Sequence, residues 1–246
     1  MKKFIISIDA GTTSNRAILF DLKGKPIFSS QKEFTQFFPK SGWVEHNPEE
    51  IWNTTKKVLK DVILKAKKLK GKILTIGITN QRETTVLWDK KNGKTVYRAI
   101  VWQDRRQADY CKKLKNQNKE TLIFNKTGLP IDSYFSGTKI KWILDNVPLA
   151  KKLMNKKQLM FGTIDSFLIW RLTKGKIHAT DATNASRTMI YNISTNKWDD
   201  TILKILKIKK HILPNVKDSA DNYGSTHPSI TGKSIPITGV VGDQQS

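Results

Sequence analysis

The segment Phe4-Ile-Ile-Ser-Ile-Asp-Ala-Gly-Thr-Thr-Ser-Asn-Arg-Ala-Ile-Leu-Phe-Asp21 decides how this chain begins to fold. Two short apolar runs, residues 4–8 and 17–20, are typical of buried strands. Between them lies a turn of small and hydroxylated residues, in which Gly11 permits backbone conformations and a close ligand approach that other residues do not. The segment therefore predicts a β-hairpin with a polar turn.

The polar turn carries the side chains that a phosphate site needs. Thr12, Thr13 and Ser14 offer hydroxyl groups beside the loop amides, and Arg16 adds a cation. Asp9, at the end of the first strand, is suited to hold a hydrated Mg²⁺. An ordinary hairpin with a polar turn is the alternative. The Asp before the turn and the Arg after it favour a phosphate-binding hairpin.

The chain that follows predicts alternating strands and helices. A third strand over 26–34 would complete an antiparallel meander. Asn47-Pro48-Glu49-Glu50 predicts a helix start, with an N-cap, a first-turn proline and two acids, and an apolar stripe continues towards Gly71. Further strands are predicted at 72–79, 84–89, 94–102, 158–163 and 235–243, helices near 104 and at 138–146, 164–172 and 198–206, and an extended stretch over 177–193. This order predicts an α/β layered domain.

Composition limits the class of protein. With 246 residues, 38% of them hydrophobic, the chain can bury a substantial core. Asp9 interrupts the first apolar run too early for a signal peptide, and no stretch approaches the roughly 20 apolar residues of a membrane span. The single cysteine, Cys111, cannot form an internal disulfide, which fits a cytoplasmic location.

The net charge of +23 raises a different possibility, binding to nucleic acid or to an anionic membrane surface. The lysines, however, are scattered along most of the chain and fall mainly on the polar faces of the predicted helices. This pattern favours a solvated lysine surface over a binding patch. We therefore expect no nucleic-acid partner.

Polar or acidic groups follow three predicted strands: Asp9, Arg82-Glu83 and Asp243. In an open α/β sheet, ligands bind beyond the carboxyl ends of the strands. A surface turn explains each group taken alone. Three such groups on buried strands together predict an active site.

Several separated motifs carry a resemblance that runs from end to end of the chain. They are Asp9-Ala-Gly-Thr-Thr-Ser-Asn-Arg16, Gly77-Ile-Thr-Asn-Gln-Arg-Glu-Thr84, Val101-Trp-Gln-Asp-Arg-Arg106, Tyr134-Phe-Ser-Gly-Thr-Lys-Ile-Lys-Trp-Ile-Leu-Asp-Asn146, Gly162-Thr-Ile-Asp165, Thr183-Asn-Ala-Ser-Arg-Thr188 and Gly242-Asp-Gln-Gln245. Together they resemble the FGGY family of carbohydrate kinases, and within it the glycerol kinases. The resemblance implies a ribonuclease H-like, actin-like ATPase domain, in which a mixed sheet with an antiparallel N-terminal meander is flanked by helices.

The resemblance also implies ATP-dependent phosphorylation of glycerol to glycerol 3-phosphate. Arg82 and Glu83 would hold the glycerol hydroxyls, one side chain donating and the other accepting. Tyr134 would add a hydroxyl contact, and Trp102 an apolar wall for the carbon chain. An ordinary loop aromatic at 134 and a core residue at 102 are the alternatives.

The remaining roles concern the phosphoryl transfer. Asp243 would take the proton of the attacking hydroxyl, and Gln244 would help to position the substrate. Asp9 would bind Mg²⁺ through water. The transferring phosphoryl group would be stabilised by the first loop, through Thr12, Thr13, Ser14 and Arg16.

Kinases of this family are about twice as long and hold ATP in a cleft between two similar domains. The resemblance therefore assigns residues 1–246 to the N-terminal carbohydrate-kinase domain and implies that the C-terminal ATPase domain is absent from the chain. We expect a truncated or split glycerol kinase that binds glycerol and ATP or ADP, with a separate C-terminal half or a homo-oligomer as partner. The alternatives are a sister sugar kinase and a non-catalytic remnant that binds glycerol or acts as a scaffold.

Overall fold

The predicted hairpin lies at the centre of a five-stranded sheet in the computed structural model, which describes residues 2–246. In chain order the strands are β1 (Lys2–Ala10), β2 (Ser14–Phe20), β3 (Pro26–Glu33), β4 (Gln36–Phe37), β5 (Glu45–His46), β6 (Gly71–Asn80), β7 (Val86–Asp89), β8 (Ala99–Ile100), β9 (Leu159–Gly162), β10 (Ala179–Asp181), β11 (Tyr191–Asn192), β12 (Lys197–Trp198), β13 (Asn215–Lys217) and β14 (Ile237–Gly242). The α-helices are α1 (Pro48–Lys68), α2 (Ala108–Asn116), α3 (Glu120–Thr127), α4 (Ser136–Asn146), α5 (Pro148–Asn155), α6 (Ile164–Leu172), α7 (Ala182–Ala185), α8 (Asp200–Leu206) and α9 (Pro228–Thr231). There are also 3₁₀ turns at Ser186–Thr188 and Lys210–Ile212.

The main sheet has the strand order β14-β6-β1-β2-β3. β1, β2 and β3 pair antiparallel, which confirms the predicted meander, whereas β6 pairs parallel with β1 and β14 pairs parallel with β6. The register places Asp9 beside Thr79, and Thr79 beside Val241. The three parallel strands therefore end at one edge of the sheet. The predicted α/β class with a mixed sheet is confirmed.

Helix α1 covers one face of this sheet and starts where the sequence predicts. Asn47 Oδ1 accepts a hydrogen bond from Glu49 N at 3.0 Å, and Pro48 occupies the first turn. Ile51 and Val58 lie on the buried stripe of the helix and have no exposed surface. Within residues 2–246 no helix, α1 included, is long and apolar enough to cross a membrane.

The core consists of two hydrophobic clusters. The first joins the main sheet, α1 and α6, and includes Trp88, whose ring packs edge-on against that of Phe167 at a centroid distance of 5.5 Å. The second lies among α3, α4, α5 and α8 and contains Ile140 and Phe161. β7 contributes to both, because successive side chains of a strand face opposite sides: Leu87 belongs to the second cluster and Trp88 to the first.

The prediction of a strand over 94–102 is wrong, except that residues 99–100 form the short β8. Thr95 forms only an isolated bridge with Trp88. The chain then turns away, so that Tyr97 Oη donates to Glu45 Oε1 at 2.8 Å. β8 pairs with β5 on one side, and on the other side Ile100 forms an isolated bridge with Thr85, just before β7.

Two aspartates explain further departures from the prediction. The Asp104 carboxylate accepts the backbone N–H of Val44 at 2.7 Å and holds the chain in a turn, so that α2 begins only at Ala108. The stretch 177–193 is not extended throughout, since it contains β10, α7 and a 3₁₀ turn before β11. Asp181 causes this change because its carboxylate caps the first N–H groups of α7. Helices α3 and α5 are absent from the prediction.

Candidate active site

The segments that follow β1, β6 and β14 are tied together at one edge of the main sheet. Gln81, after β6, donates its backbone N–H to Ala10 O at 2.8 Å. Asp243, after β14, donates its backbone N–H to Asn80 O at 3.1 Å. The three groups of residues that the sequence places at strand ends are thus neighbours in space.

Glu83 occupies a strained turn beyond β6. Its φ angle is 60°, in the left-handed region that residues with a side chain seldom adopt, and Thr84 N donates to Arg82 O at 2.7 Å across the turn. Glu83 is 2% exposed, and its Oε1 atom accepts a hydrogen bond from Arg187 Nε at 2.7 Å. Burial raises the pKa of the Glu83 carboxyl, while Arg187 and Arg82 partly oppose that rise. The ion pair holds this buried carboxylate in one position.

Arg187 is a residue of the site that the sequence prediction missed. It lies in a 3₁₀ turn, with its Cζ atom 4.9 Å from the ring centroid of Phe135 and 5.6 Å from that of Tyr134. It therefore joins Glu83 to the loop before α4. Its partner is 104 positions away in the chain, so no local pattern connects them. The signal in the sequence was the motif Thr183-Asn-Ala-Ser-Arg-Thr188, which contains Arg187 but was given no role in the site.

Trp102 and Tyr134 form an aromatic wall beside this ion pair. Their ring centroids are 5.5 Å apart, both rings are partly exposed, and burial raises the pKa of the Tyr134 hydroxyl. Trp102 Nε1 donates to Thr12 Oγ1 at 3.1 Å, so the wall reaches the first loop. Behind Tyr134, the ammonium of the buried Lys139 donates to the backbone carbonyls of residues 133–135. Partial exposure favours a wall that faces a ligand over a purely interior position for Trp102.

Asp243 lies at the open side of the cluster, with its side chain 38% exposed. Arg82 Nε is 3.4 Å from Asp243 Oδ1, and the same guanidinium donates to Gln245 Oε1 at 3.3 Å. Gly242 makes room for this arrangement, because a Cβ at that position would lie 2.4 Å from Arg82 Cδ. Gln244 follows and is exposed. Asp243 thus contacts the guanidinium of Arg82, while its own carboxylate stays accessible.

A buried polar network supports the backbone before this accessible carboxylate. The side-chain amides of Asn80 and Asn184 exchange hydrogen bonds of 2.9 and 3.2 Å. Asp181 accepts from Thr183 Oγ1 at 2.6 Å, and Thr183 Oγ1 in turn accepts from Gly242 N at 2.8 Å. The network links the ends of β6 and β14 to the short helix α7.

The loop between β1 and β2 carries the predicted phosphate-binding side chains. Gly11 N donates to Ser14 O at 3.0 Å and closes the turn. Gln31 on β3 connects two polar side chains, because its Nε2 donates to Ser14 Oγ at 2.9 Å and its Oε1 accepts from Arg16 Nε at 3.0 Å. Thr13, at the tip, is exposed. These groups form a short, accessible loop rich in donors.

Asp9 is the predicted Mg²⁺ residue, and its surroundings suit a cation. Burial and the charge of Asp243 raise the pKa of the Asp9 carboxyl, while Arg16 across the hairpin lowers it. A cation near both carboxylates would relieve their repulsion. In the described part of the chain, residues 2–246, no group of three or more His, Cys, Asp or Glu side chains could enclose a metal. The two oxygen-donor carboxylates, Asp9 and Asp243, fit a Mg²⁺ ion held largely through water and phosphate.

Known proteins resemble the chain along its whole length. The sequence profile described as "FGGY family of carbohydrate kinases, N-terminal domain" matches residues 4–246. A protein of Alkaliphilus metalliredigens named glycerol kinase is 57% identical over 247 residues, which cover 100% of this chain and 49% of that protein. The chain spans about half the length of the curated relatives it matches.

Solved structures give the same result for the fold. The structure of Plasmodium falciparum glycerol kinase with ADP matches with a TM-score of 0.95 and 36% identity, covering 99% of this chain and 49% of that one. The gluconate kinase of Lactobacillus acidophilus matches with a TM-score of 0.87 and 28% identity, covering 99% and 48% respectively. The predicted fold is confirmed, and it is one that kinases of different substrates share.

Proposed function

This chain belongs to the FGGY family of carbohydrate kinases, and from that premise we propose that it forms the glycerol-binding half of an enzyme that transfers a phosphoryl group from ATP to glycerol. The observation that carries the proposal is the buried, ion-paired Glu83, which directly follows Arg82, the residue that contacts the accessible Asp243. Relatives named glycerol kinase are more similar in sequence than the gluconate kinase, which supports glycerol as the acceptor.

A short polyol suits the side chains around Glu83. Arg82 would donate to hydroxyl oxygens, and Glu83 would accept hydroxyl protons. Tyr134 would add a hydroxyl contact, and the indole of Trp102 would cover the carbon chain. Because Arg187 already holds the Glu83 carboxylate, little ordering remains to be done when the alcohol binds.

Asp243 would accept the proton of the attacking hydroxyl as that oxygen approaches the terminal phosphate of ATP. The contact with Arg82 keeps the carboxylate near the substrate, and Gln244 would help to orient it. Mg²⁺, held by Asp9 through water, would neutralise part of the phosphate charge. Charge on the transferring group would be stabilised by the first loop, through Thr12, Thr13, Ser14 and Arg16.

In this proposal residues 1–246 are the N-terminal domain of the kinase. A C-terminal half, of the kind that the longer relatives contain, would close over the phosphates and exclude water. The present residues alone leave Asp243 and the first loop open. We therefore expect glycerol binding from this chain and efficient phosphoryl transfer only with the second half.

The experiment is a phosphorylation assay with glycerol, gluconate and xylulose as acceptors. It compares the purified chain with a joined protein, in which residues 1–246 are fused to the C-terminal half of the Alkaliphilus relative. The joined protein should prefer glycerol, and the chain alone should bind glycerol with little turnover. A preference for gluconate or xylulose would indicate a sister sugar kinase, and binding without turnover in the joined protein would indicate a binding remnant. A folded joined protein that neither binds nor phosphorylates glycerol would refute the proposal.

A further inference from the structure

Two backbone carbonyls of the first loop are held by glutamine side chains from other parts of the chain. Gln81 Nε2 donates to Gly11 O at 2.8 Å, and Gln36 Nε2 donates to Thr12 O at 3.1 Å. In a trans peptide the C=O and the following N–H point in opposite directions. The N–H groups of Thr12 and Thr13 are therefore turned away from the two glutamines. Neither N–H has a backbone partner within residues 2–246, so both are available to a ligand.

His46 connects the two glutamines and determines which way each side-chain amide faces. Its Nε2 atom is 2.6 Å from Gln36 Oε1, and its Nδ1 atom is 3.5 Å from Gln81 Nε2. Because the NH₂ group of Gln36 donates to the loop, its Oε1 must accept from His46 Nε2–H, which leaves Nδ1 as an acceptor. His46 is fully buried, and burial lowers its pKa to about 4, so the ring is neutral near pH 7.

The same series of hydrogen bonds continues to the aromatic wall. Thr84 Oγ1 donates to Gln81 Oε1 at 2.8 Å and accepts from Trp102 N at 3.3 Å. Trp102 Nε1 in turn donates to Thr12 Oγ1. With an acceptor position of Thr12 occupied in this way, its hydroxyl hydrogen can be directed to a ligand. The side-chain amides, the imidazole and the hydroxyls can thus be oriented so that every donor in the series meets an acceptor.

We infer that Gln36, His46 and Gln81 are positioning residues that aim the Thr12 and Thr13 amides at a phosphoryl oxygen. The identity of the ligand as a phosphate group rests on the proposed function, whereas the orientation of the loop does not. Two amide donors fixed in advance would bind an anion without being reorganised, and they would act beside Ser14 and Arg16.

The test follows the Thr12 and Thr13 amide resonances of the ¹⁵N-labelled chain during titration with inorganic phosphate. Gln81→Met and His46→Phe remove the donors and acceptors at similar volume, and a phenyl ring at 46 can keep the edge contact with Phe34, whose ring centroid is 5.0 Å away. Gln107→Met is the matched control. Gln107 is as buried as Gln81, but its amide faces Asp104 and makes no bond to the loop.

Phosphate should shift both amides in the wild type and in Gln107→Met. In Gln81→Met and His46→Phe the phosphate affinity should be about tenfold weaker, the size expected for one lost hydrogen bond, with thermal midpoints close to that of Gln107→Met. A purely structural role would lower the thermal midpoint and leave the affinity unchanged. Equal phosphate affinity in all four proteins would overturn the inference.

Two further measurements test the positioning role of Gln36, His46 and Gln81 without phosphate. If phosphate fails to bind, the phosphate role in the proposed function is refuted, and these two measurements still test the orientation of the loop. Nitrogen spectra of the wild type at pH 7 should identify the Nε2–H tautomer of His46, and the Nδ1–H tautomer would contradict the inference. A crystal structure of Gln81→Met should have the Gly11–Thr12 peptide turned from its present orientation. An unchanged peptide would also overturn the positioning role.

Discussion

On the proposed alcohol side of the site, the side chains of Arg82, Glu83, Tyr134 and Arg187 are held far more firmly than the Ser14 and Arg16 side chains of the proposed phosphate side. The backbone of the first loop, which the two glutamines hold, is not part of this contrast. Glu83 is 2% exposed and ion-paired, whereas the side chains of Ser14 and Arg16 meet through exposed hydrogen bonds to Gln31. A small neutral alcohol offers few atoms, so its binding depends on a preformed pocket. A phosphate brings charge that several accessible donors can share. Single changes should therefore cost more on the alcohol side.

Asp243→Asn should have the largest effect, because Asp243 lies where the two sides meet. Turnover of glycerol by the joined protein should fall by about 10²–10⁴-fold, the usual loss for a general base, with glycerol affinity changed little. Steady-state assays and calorimetric titration separate the two quantities. Asp200→Asn is the control, since Asp200 is an exposed partner of Lys210. Unchanged turnover in Asp243→Asn would mean that neither side depends on this carboxylate.

Arg187→Met tests whether the alcohol side is organised in advance. The variant leaves a buried carboxylate without its partner, and the glycerol KM should rise by about 10- to 100-fold. Because Arg187 opposes the upward shift of the Glu83 pKa, its loss should raise that pKa further. On acidification, Glu83 would then be protonated, and glycerol binding lost, at a higher pH than in the wild type.

The matched control for this variant is Arg171→Met. Arg171 is also partly buried and pairs with a glutamate, Glu49, but it lies outside the site. The control should lower the thermal midpoint and leave the glycerol KM unchanged. If Arg187→Met also leaves the glycerol KM unchanged between about pH 5 and pH 8, Arg187 does not organise the alcohol side in advance.

Lys139→Met tests the support beneath Tyr134. The carbonyls of residues 133–135 would lose their donor, which should lower the free energy of unfolding by about 1–3 kcal/mol. Burial lowers the pKa of Lys139 to about 7 from an ordinary 10.5. At a pH between these two pKa values, Lys139 is protonated in the unfolded chain and deprotonated in the folded chain. The contribution of Lys139 to the free energy of unfolding therefore rises with pH, and it is lost as the pH falls through about 7.

Urea unfolding of the wild type and Lys139→Met at about pH 7 and pH 9.5 measures this dependence. The difference in unfolding free energy between the two proteins should grow with pH. A difference that is independent of pH would show that Lys139 keeps an ordinary pKa. The alcohol side would then be supported by a permanently charged ammonium.

Arg16→Gln should have the smallest effect, since its hydrogen bond is exposed and its charge is screened by salt. The ATP KM of the joined protein should rise by about 3- to 10-fold, with the glycerol KM unchanged and the effect reduced at high salt. Arg98→Gln, at an exposed arginine that pairs with Glu45, should match the wild type. A large change in the glycerol KM of Arg16→Gln would mean that the two sides are not separate.

Much of the fold follows from local patterns in the sequence. β1, β2 and α1 are predicted because strand alternation, the Gly11 turn and the Asn47 cap act within a few residues of chain. Asp9, Glu83 and Asp243 can be grouped from sequence because parallel strands end at a common edge. β8 and α7 depart from the prediction, since distant partners and the cap at Asp181 outweigh the local preference.

Local patterns in the chain therefore specify the hairpin, the long helix and the chemical groups at the strand ends. The pairing of Arg187 with Glu83, the place of Lys139 beneath Tyr134 and the position of His46 between two glutamines arise from the packing of distant elements. A backbone pattern specifies which face of an element is buried, but not which distant side chain will meet it there. That choice depends on how the elements pack, and burial then makes each polar pairing obligatory.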